Sequence, residues 1–147
     1  MFDITTVGEI LIDLTQTGIS DNGIPIYTAN PGGAPANVAV AASKLGAKTA
    51  FIGKVGNDSF GKFLCDTLKK YNVSTDGVIT DKSANTTLAV VSVNENGERS
   101  FAFYRKNSAD TLLSEYEIID LHLSNTHILH FGSVSLTAEP SRTATIS

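Results

Sequence analysis

Apolar segments in the first half of the chain alternate between strand-like and helix-like patterns. The predicted strands in this half are Ile4–Val7, Ile10–Thr17, Ile24–Ala29 and Thr49–Val55, and the predicted helices are Pro35–Leu45 and Ser59–Tyr71. In the second helix, Phe60, Phe63 and Leu64 fall on one face. Because strands that alternate with helices form parallel sheets with crossover helices, this pattern predicts an α/β fold.

Residues suited to helix ends mark the limits of both helices. Pro35 fits an early helical position, where its missing N–H would lack a partner in any case. Gly46 follows the first helix as a C-cap, and Asp58 is a good N-cap for the second. The two helices are therefore predicted from their ends as well as from their apolar positions.

A β-hairpin interrupts this alternation in the second half of the chain. Thr86–Val93 and Ser100–Arg105 are rich in β-branched and aromatic residues, and Asn96-Gly97 between them is a strong hairpin-turn signal. We expect this hairpin to leave the main sheet as a β-flap or lid. Beyond it, the pattern predicts a short helix at Glu115–Asp120 and a strand at His127–Phe131.

The last residues resemble the middle of a longer fold. Ile128–Leu136 is predicted to be a buried strand with its following loop, and Ala138–Ser147 resembles the first turns of a helix without a C-cap. We therefore expect residues 1–147 to form part of a single domain that continues in a longer protein.

Composition narrows the class of protein. The chain has 147 residues, of which 41% are hydrophobic and 18% charged, and its net charge is −4. Without a block of Lys or Arg, nucleic acids and anionic membranes are not expected partners. No apolar segment approaches the roughly 20 residues that span a bilayer, and the acidic N-terminus does not resemble a signal peptide. A single cysteine, Cys65, excludes an internal disulfide. From these features together we expect a cytoplasmic protein.

One segment imitates a nucleotide-binding motif. Gly56–Lys62 fits the first seven positions of a phosphate-binding P-loop, but Phe63 stands where that motif has Ser or Thr. Asp58 would also place a carboxylate among the phosphates. A glycine turn capped by Asp58 explains the same residues, and a nucleotide-binding domain that uses this segment is the weaker alternative.

The segment from Asn30 to Gly46 has the composition of a binding loop. Gly32 and Gly33 let a ligand approach the backbone because no Cβ stands in the way, and the helix behind them begins with unpaired N–H groups. Asn37 offers both a donor and an acceptor. This mixture suits a polyhydroxy ligand, although a glycine turn that leads into an amphipathic helix explains the residues equally well.

Asp13 adds a charged acceptor to this picture. It follows an apolar strand and lies between Ile12 and Leu14, where a carboxylate usually needs a partner. It is either a surface residue of an edge strand or an acceptor for sugar hydroxyls. Hydrogen bonds to a charged group contribute about 1.5–3 kcal/mol each, so one aspartate could anchor a neutral sugar.

Four segments, in order and over nearly the whole chain, resemble one family. They are VGEILIDL (7–14), NPGGAPANVAVAASKLGAKTAFIGKVGNDSFG (30–61), RSFAFYR (99–105) and HFGSVSL (130–136). The sequence is similar to the ribokinase-like (PfkB) carbohydrate kinases, and most closely to their bacterial fructokinase branch. The resemblance implies a ribokinase-like three-layer α/β/α sandwich with a small β-sheet lid, whose segments are approximately 10–30 and 85–106.

The resemblance also implies an activity and a set of substrate contacts. The activity is ATP-dependent phosphorylation of a sugar hydroxyl, with fructose as the expected sugar. The positions that match substrate-binding residues of such kinases are Asp13, Gly32, Gly33 and Asn37 in the sugar pocket, with Phe103 and Arg105 at the end of the lid. Ribokinases tend to carry an acid at the position of Gly132, so the glycine favours a larger ketose or keto acid over ribose.

The chemistry of such kinases depends on a later G-A-G-D-like turn, which these 147 residues do not contain. That turn supplies the catalytic base and a helix N-terminus for the phosphate, and the ATP site lies in the same later half. We therefore expect no catalytic residue in this chain, and an inactive fragment when it is alone. ATP and Mg²⁺ are expected to bind mainly to the missing half, and a K⁺ site is left open. The protein is expected to form a homodimer through the β-lid.

Other functions remain open at this point. A 2-keto-3-deoxygluconate kinase would share the lid arginine but needs more positive charge near the pocket for the substrate carboxylate. A non-catalytic module that binds sugar or dimerises is a further alternative. We expect structural roles for His122, His127 and His130, and no metal site, because residues three apart on a strand point to opposite faces.

Overall fold

The computed structural model describes residues 1–93, 99–118 and 123–147. Its strands are β1 (Phe2–Val7), β2 (Leu11–Ile19), β3 (Pro25–Gly32), β4 (Thr49–Gly56), β5 (Ser74–Asp81), β6 (Leu88–Val93), β7 (Arg99–Tyr104) and β8 (Thr126–Phe131). The α-helices in the described residues are α1 (Ala34–Lys44), α2 (Ser59–Lys70) and α3 (Ser141–Ile146), and short 3₁₀ turns cover Ala109–Leu112, Glu115–Glu117 and Ser133–Thr137.

The main sheet is parallel and has the strand order β5-β4-β1-β8. Its central strand β4 is buried along its whole length. Phe51 and Val55 pack with residues of α1 and α2, whereas Ile52 packs with Leu113 and Ala144 on the opposite side. Helices and turns therefore cover both faces, as in other parallel sheets, and the predicted α/β fold in three layers is confirmed.

The second sheet has the order β3-β2-β6-β7, in which β2 and β6 are parallel and the outer pairs are antiparallel. Ile12 belongs to the core that also contains residues of α1 and α2. The next residue, Asp13, points to the opposite face. The pairing of β6 with β7 confirms the two predicted hairpin strands, and the Asn96-Gly97 turn lies outside the described residues.

The structure differs from the predictions made from the sequence at three elements. Strand β5 is not predicted, because its segment STDGVITD has few apolar residues and no regular alternation. The described part of the predicted helix at Glu115–Asp120 is a single 3₁₀ turn over Glu115–Glu117. Strand β8 is present but not buried: Ile128 and Phe131 are 56% and 48% exposed, because β8 is an edge strand of the main sheet.

The two sheets and α1 converge where the parallel strands end. Strand β1 continues through Gly8 and Glu9 into β2, and β8 continues through Gly132 into the turn Ser133–Thr137. The N–H of Gly132 donates to the carbonyl of Val7 (3.4 Å), which holds the two connections side by side. In open α/β sheets, ligands bind outside the carboxyl ends of the strands.

Candidate functional site

Asp13 and Gly32 occupy one corner of this region and fit closely together. A Cβ built on Gly32 would lie 2.9 Å from Asp13 Cγ and closer still to its Oδ2. The aspartate side chain therefore leans over the bare backbone of position 32, which any larger residue would close. The structure thus brings together two of the residues that the sequence assigns to a binding site.

The Asp13 carboxylate is partly buried and receives no hydrogen bond from the residues that the structure describes. The amide of Asn30 donates to the backbone carbonyl of Asp13 (3.5 Å), not to its side chain. Burial removes water from the carboxylate and raises its pKa above the ordinary value of 3.8. A desolvated acceptor without a protein partner is what a ligand with hydroxyl donors requires.

Gly33 and Asn37 lie at the beginning of α1. Gly33 has φ +104°, and a Cβ there would lie 2.5 Å from the carbonyl oxygen of Glu9, so both conformation and space require glycine. The N–H of Asn37 donates to the carbonyl of Gly33 (2.9 Å), which places Asn37 in the first turn of the helix. Its side chain is exposed and makes no hydrogen bond with the described residues, so its amide is free to contact a ligand.

Glu9 lies beneath this corner, and the sequence pattern does not single it out as a site residue. Only 2% of its surface is exposed. Its Oε1 accepts a hydrogen bond from the N–H of Ala34 (3.3 Å), and its Oε2 accepts one from Ser135 Oγ (2.9 Å). Glu9 thus joins the start of α1 to the segment after β8. Its position in an apolar segment, between Gly8 and Ile10, is the signal that could have identified a carboxylate with partners.

The space beside Gly132 is already filled by protein atoms. A Cβ at this position would lie 2.7 Å from both Glu9 Oε2 and Pro35 Cγ. The glycine is therefore required by the packing of Glu9 and Pro35. The expectation that Gly132 leaves room for a larger substrate is not supported by this geometry.

Arg105 is not the solvated edge charge that its position at the end of a lid strand could suggest. Its Nε donates to Asp110 Oδ2 (2.7 Å) and its Nη1 donates to Thr137 Oγ1 (2.8 Å). The side chain is 13% exposed. Its Nη2 is buried and has no hydrogen-bond partner among the described residues. Arg105 therefore joins the second sheet to the segment after β8 and keeps one donor group free.

Phe103 shares a sheet face with Asp13. Asp13 pairs with Ala89 in the neighbouring strand, and Ala89 pairs with Phe103 in the next one. Directly paired residues point to the same side of a sheet, so Phe103 lies two strands from Asp13 on the same face. Its ring is 58% exposed. Asp13 and Phe103 therefore share one face of the second sheet, and Arg105 follows Phe103 by two positions, just beyond the end of β7.

The segment that imitates a P-loop is a capped helix start. Asp58 accepts hydrogen bonds from the N–H of Gly61 and from both the N–H and the Oγ1 of Thr86, each at 2.8 Å. Desolvation alone would raise the Asp58 pKa, but these hydrogen bonds hold it below 3.8. Lys62 pairs with Asp66 on the helix surface. The carboxylate occupies the place that a phosphate would need.

The described residues contain no group of three or more His, Cys, Asp or Glu side chains that could hold a metal ion. His127 Nδ1 lies 3.7 Å from Asp3 Oδ1 at the surface, and His122 lies outside the described residues. Within the described part of the chain, no helix combines the length and the hydropathy that crossing a membrane would require.

Known proteins with the same sequence pattern and fold identify the family. The model of the pfkB family carbohydrate kinases matches residues 1–147. Probable fructokinase-5 of Arabidopsis thaliana is 48% identical over 96% of this chain and 44% of its own length. The crystal structure of fructokinase from Xylella fastidiosa has a TM-score of 0.92 and 39% identity over 97% of this chain and 44% of that one.

A second Xylella fastidiosa fructokinase structure, with bound ATP, has a TM-score of 0.91 and 37% identity over 99% of this chain and 46% of that one. The chain therefore spans less than half the length of each of these three relatives. Over that span, sequence and fold agree from end to end, and the chain belongs to the pfkB family of carbohydrate kinases.

Proposed function

We propose that the complete protein transfers a phosphate group from ATP to a hydroxyl of fructose, and that this chain supplies the sugar-binding part. The observation that carries the proposal is the Asp13 carboxylate: it is partly buried, leans over Gly32 and has no described protein partner. The names of relatives support fructose as the substrate, since those at 46–48% identity are named fructokinase or probable fructokinase.

Each residue of the site has a role suited to a neutral polyhydroxy ligand. Asp13 accepts hydrogen bonds from sugar hydroxyls, and the bare backbone of Gly32 and Gly33 lets the ring approach. Asn37 offers a donor and an acceptor beside the start of α1. Arg105 donates through its free Nη2, and Phe103 covers the sugar from the lid side. We assign no further substrate contacts to this chain.

ATP and Mg²⁺ are assigned to residues outside this chain, as is the catalytic base. The P-loop-like segment Gly56–Lys62 does not fit phosphates, because Asp58 fills it and accepts three hydrogen bonds there. Phosphoryl transfer requires that a base, the metal and the nucleotide converge on the hydroxyl. The proposal leaves a K⁺ site open.

The second sheet is proposed to act as a lid and as a dimer contact. Its exposed apolar side chains include Ile26, Phe101 and Phe103, which are 49%, 58% and 58% exposed. Such a surface is typical of a contact with another protein. Sedimentation of the complete protein as a monomer at micromolar concentration would contradict the dimer.

The cytoplasmic location of the complete protein remains a prediction from the sequence.

The test is a coupled ATP-dependent assay of the complete protein with fructose, ribose, glucose and 2-keto-3-deoxygluconate. We expect fructose to have the highest kcat/KM. Asp13→Asn should raise the fructose KM by roughly tenfold to a hundredfold, the loss expected for charge-assisted hydrogen bonds, and leave the ATP KM unchanged. Asp21→Asn, an exposed residue of the β2–β3 turn, is the matched control.

Two outcomes would replace the proposal. A preference for 2-keto-3-deoxygluconate would assign the protein to the alternative kinase that shares the lid arginine. Sugar binding without turnover would favour a non-catalytic binding or dimerising module. A fructose KM that Asp13→Asn leaves unchanged would remove Asp13 from the site.

A further inference from the structure

The guanidinium of Arg105 is held in one orientation by two of its nitrogens. Nε donates to Asp110 Oδ2 (2.7 Å) and Nη1 donates to Thr137 Oγ1 (2.8 Å). The third nitrogen, Nη2, is buried without a partner among the described residues. A buried donor without a partner is unfavourable, so an acceptor atom of a ligand that reached this group would be bound favourably.

Asp110 is itself fixed on all sides. It is 5% exposed, and its Oδ1 accepts hydrogen bonds from Thr87 Oγ1 and from Ser108 Oγ. Thr87 Oγ1 also lies 2.7 Å from Ser108 Oγ. Because both hydroxyls hold one carboxylate oxygen and Arg105 holds the other, Asp110 cannot turn away from the guanidinium. The positive charge of Arg105 is therefore neutralised permanently inside the protein.

The face of the second sheet that includes Phe103 also includes a negative charge. Asp13 contributes a carboxylate without a described partner. Neither Lys54 nor Lys106 compensates it. Lys54 is buried between Asp81 and Glu117 on the main sheet, and Lys106 lines a cavity of about 430 Å³ with Leu88 and Tyr104. Leu88 and Tyr104 are a cross-strand pair on the opposite face of the second sheet from Asp13.

We propose that Asp110 is a positioning residue that sets the charge selectivity of the site. By neutralising Arg105 while it orients Nη2, it makes the arginine a hydrogen-bond donor for a hydroxyl instead of a counter-ion for a carboxylate. The site then accepts a neutral ketose and rejects a sugar acid of similar size. This inference rests on the proposed function, since it concerns the sugar that the same site binds.

The test compares two sugars in the complete protein. Fructose and 2-keto-3-deoxygluconate differ in charge, and the readout is the ratio of their kcat/KM values. Asp110→Asn keeps the size of the side chain and removes its charge, so it should shift this ratio toward the acid by about tenfold or more. A residue that only supports the fold would lower both values by the same factor and leave the ratio unchanged.

A second variant adds positive charge without altering Asp110 or the two hydroxyls that bind it. Thr137 is exposed and lies beside Arg105 Nη1, so Thr137→Lys adds a positive charge at the same place and should shift the ratio in the same direction. Asp66→Asn is the matched control, because it removes one negative charge from the exposed surface of α2. It should leave the ratio as it is in the unaltered protein.

The results separate this inference from the proposed function. If the unaltered protein phosphorylates neither sugar, the proposed function fails, and calorimetric titration with the two sugars then tests the selectivity alone. If the unaltered protein binds the acid as well as fructose, the inference is overturned. It is also overturned if the ratio stays constant in Thr137→Lys and in an Asp110→Asn protein that melts cooperatively.

Discussion

At the scale of single residues, a methyl group at position 32 would occupy the space of the Asp13 carboxylate. The added Cβ would lie 2.9 Å from Asp13 Cγ, so Gly32→Ala should force this side chain to rotate away from the site. We expect the fructose KM of the complete protein to rise by roughly tenfold or more, because a charged acceptor is lost. Steady-state kinetics at saturating ATP would measure it.

Gly18→Ala is the matched control for this change. Gly18 lies in the same strand as Asp13, and nothing lies within 4 Å of the Cβ that the substitution would add. It should leave the fructose KM unchanged. In a double variant with Asp13→Asn, Gly32→Ala should add little, since both act on the same group. Fully additive effects would show that Gly32 acts through the ligand and not through Asp13.

At the scale of elements, Asp58 fixes the start of α2 to the segment just before β6. Its carboxylate accepts hydrogen bonds from Gly61 of the helix and from Thr86, which is 4% exposed. Asp58→Ala removes an N-cap and leaves the buried N–H of Thr86 without its acceptor. We expect the free energy of unfolding to fall by about 2–3 kcal/mol, as measured by urea denaturation.

The same variant separates the capped turn from a nucleotide site. Asp21→Ala removes an exposed aspartate of the β2–β3 turn and should change the unfolding free energy by less than about 0.5 kcal/mol. The ATP KM should stay the same in both proteins. Unchanged stability combined with a large change in the ATP KM of Asp58→Ala would contradict the interpretation of Gly56–Lys62 as a helix start.

The elements that could be predicted from the sequence are those whose signals are local. Helices α1 and α2 have caps and apolar positions within their own segments, and their observed ends lie within one residue of the predicted ones. Strand β5 has no such signal, since its residues form a strand only because β4 lies beside them. The exposed face of β8 depends likewise on its place at the edge of a sheet.

The candidate site divides in the same way. Gly32, Gly33 and Asn37 lie within one continuous segment, and Asp13 stands out as an acid between apolar neighbours, so the sequence indicates all four. The contacts that hold the site together join distant parts of the chain. Ser135 and Glu9 are 126 positions apart, and Arg105 and Thr137 are 32 apart. Spacing along the sequence contains no information about such pairs.

At the scale of the whole molecule, one buried lysine connects the layers. Lys54 of β4 pairs with Asp81 at the end of β5 (3.0 Å) and with Glu117 of a 3₁₀ turn (2.8 Å), and it donates to the carbonyl of Leu112 (3.2 Å). Breaking a buried pair by removing one partner leaves an uncompensated charge. The main sheet and the turns that cover one of its faces therefore depend on the charge state of this group.

The acids of this group make stability depend on pH. Hydrogen bonds from the N–H groups of Ser83 and Ala84, and then from Lys54, lower the pKa of Asp81 far below 3.8. Desolvation alone would raise the pKa of Glu117, but the hydrogen bonds from Lys54 and Ser114 lower it below 4.5. Since both groups bind protons more readily in the unfolded chain, their contribution is complete above these ordinary values and is lost as the pH falls.

We therefore expect the free energy of unfolding to decrease steadily as the pH is lowered from about 5 to about 3, in urea denaturation at constant ionic strength. Glu117→Gln should be less stable at pH 7 and should lose less on acidification, because one of the titrating groups is gone. Glu115→Gln, an exposed residue of the same turn, should follow the unaltered protein. If the profile of Glu117→Gln ran parallel to that of the unaltered protein, the acid sensitivity would have to arise from carboxylates other than Glu117.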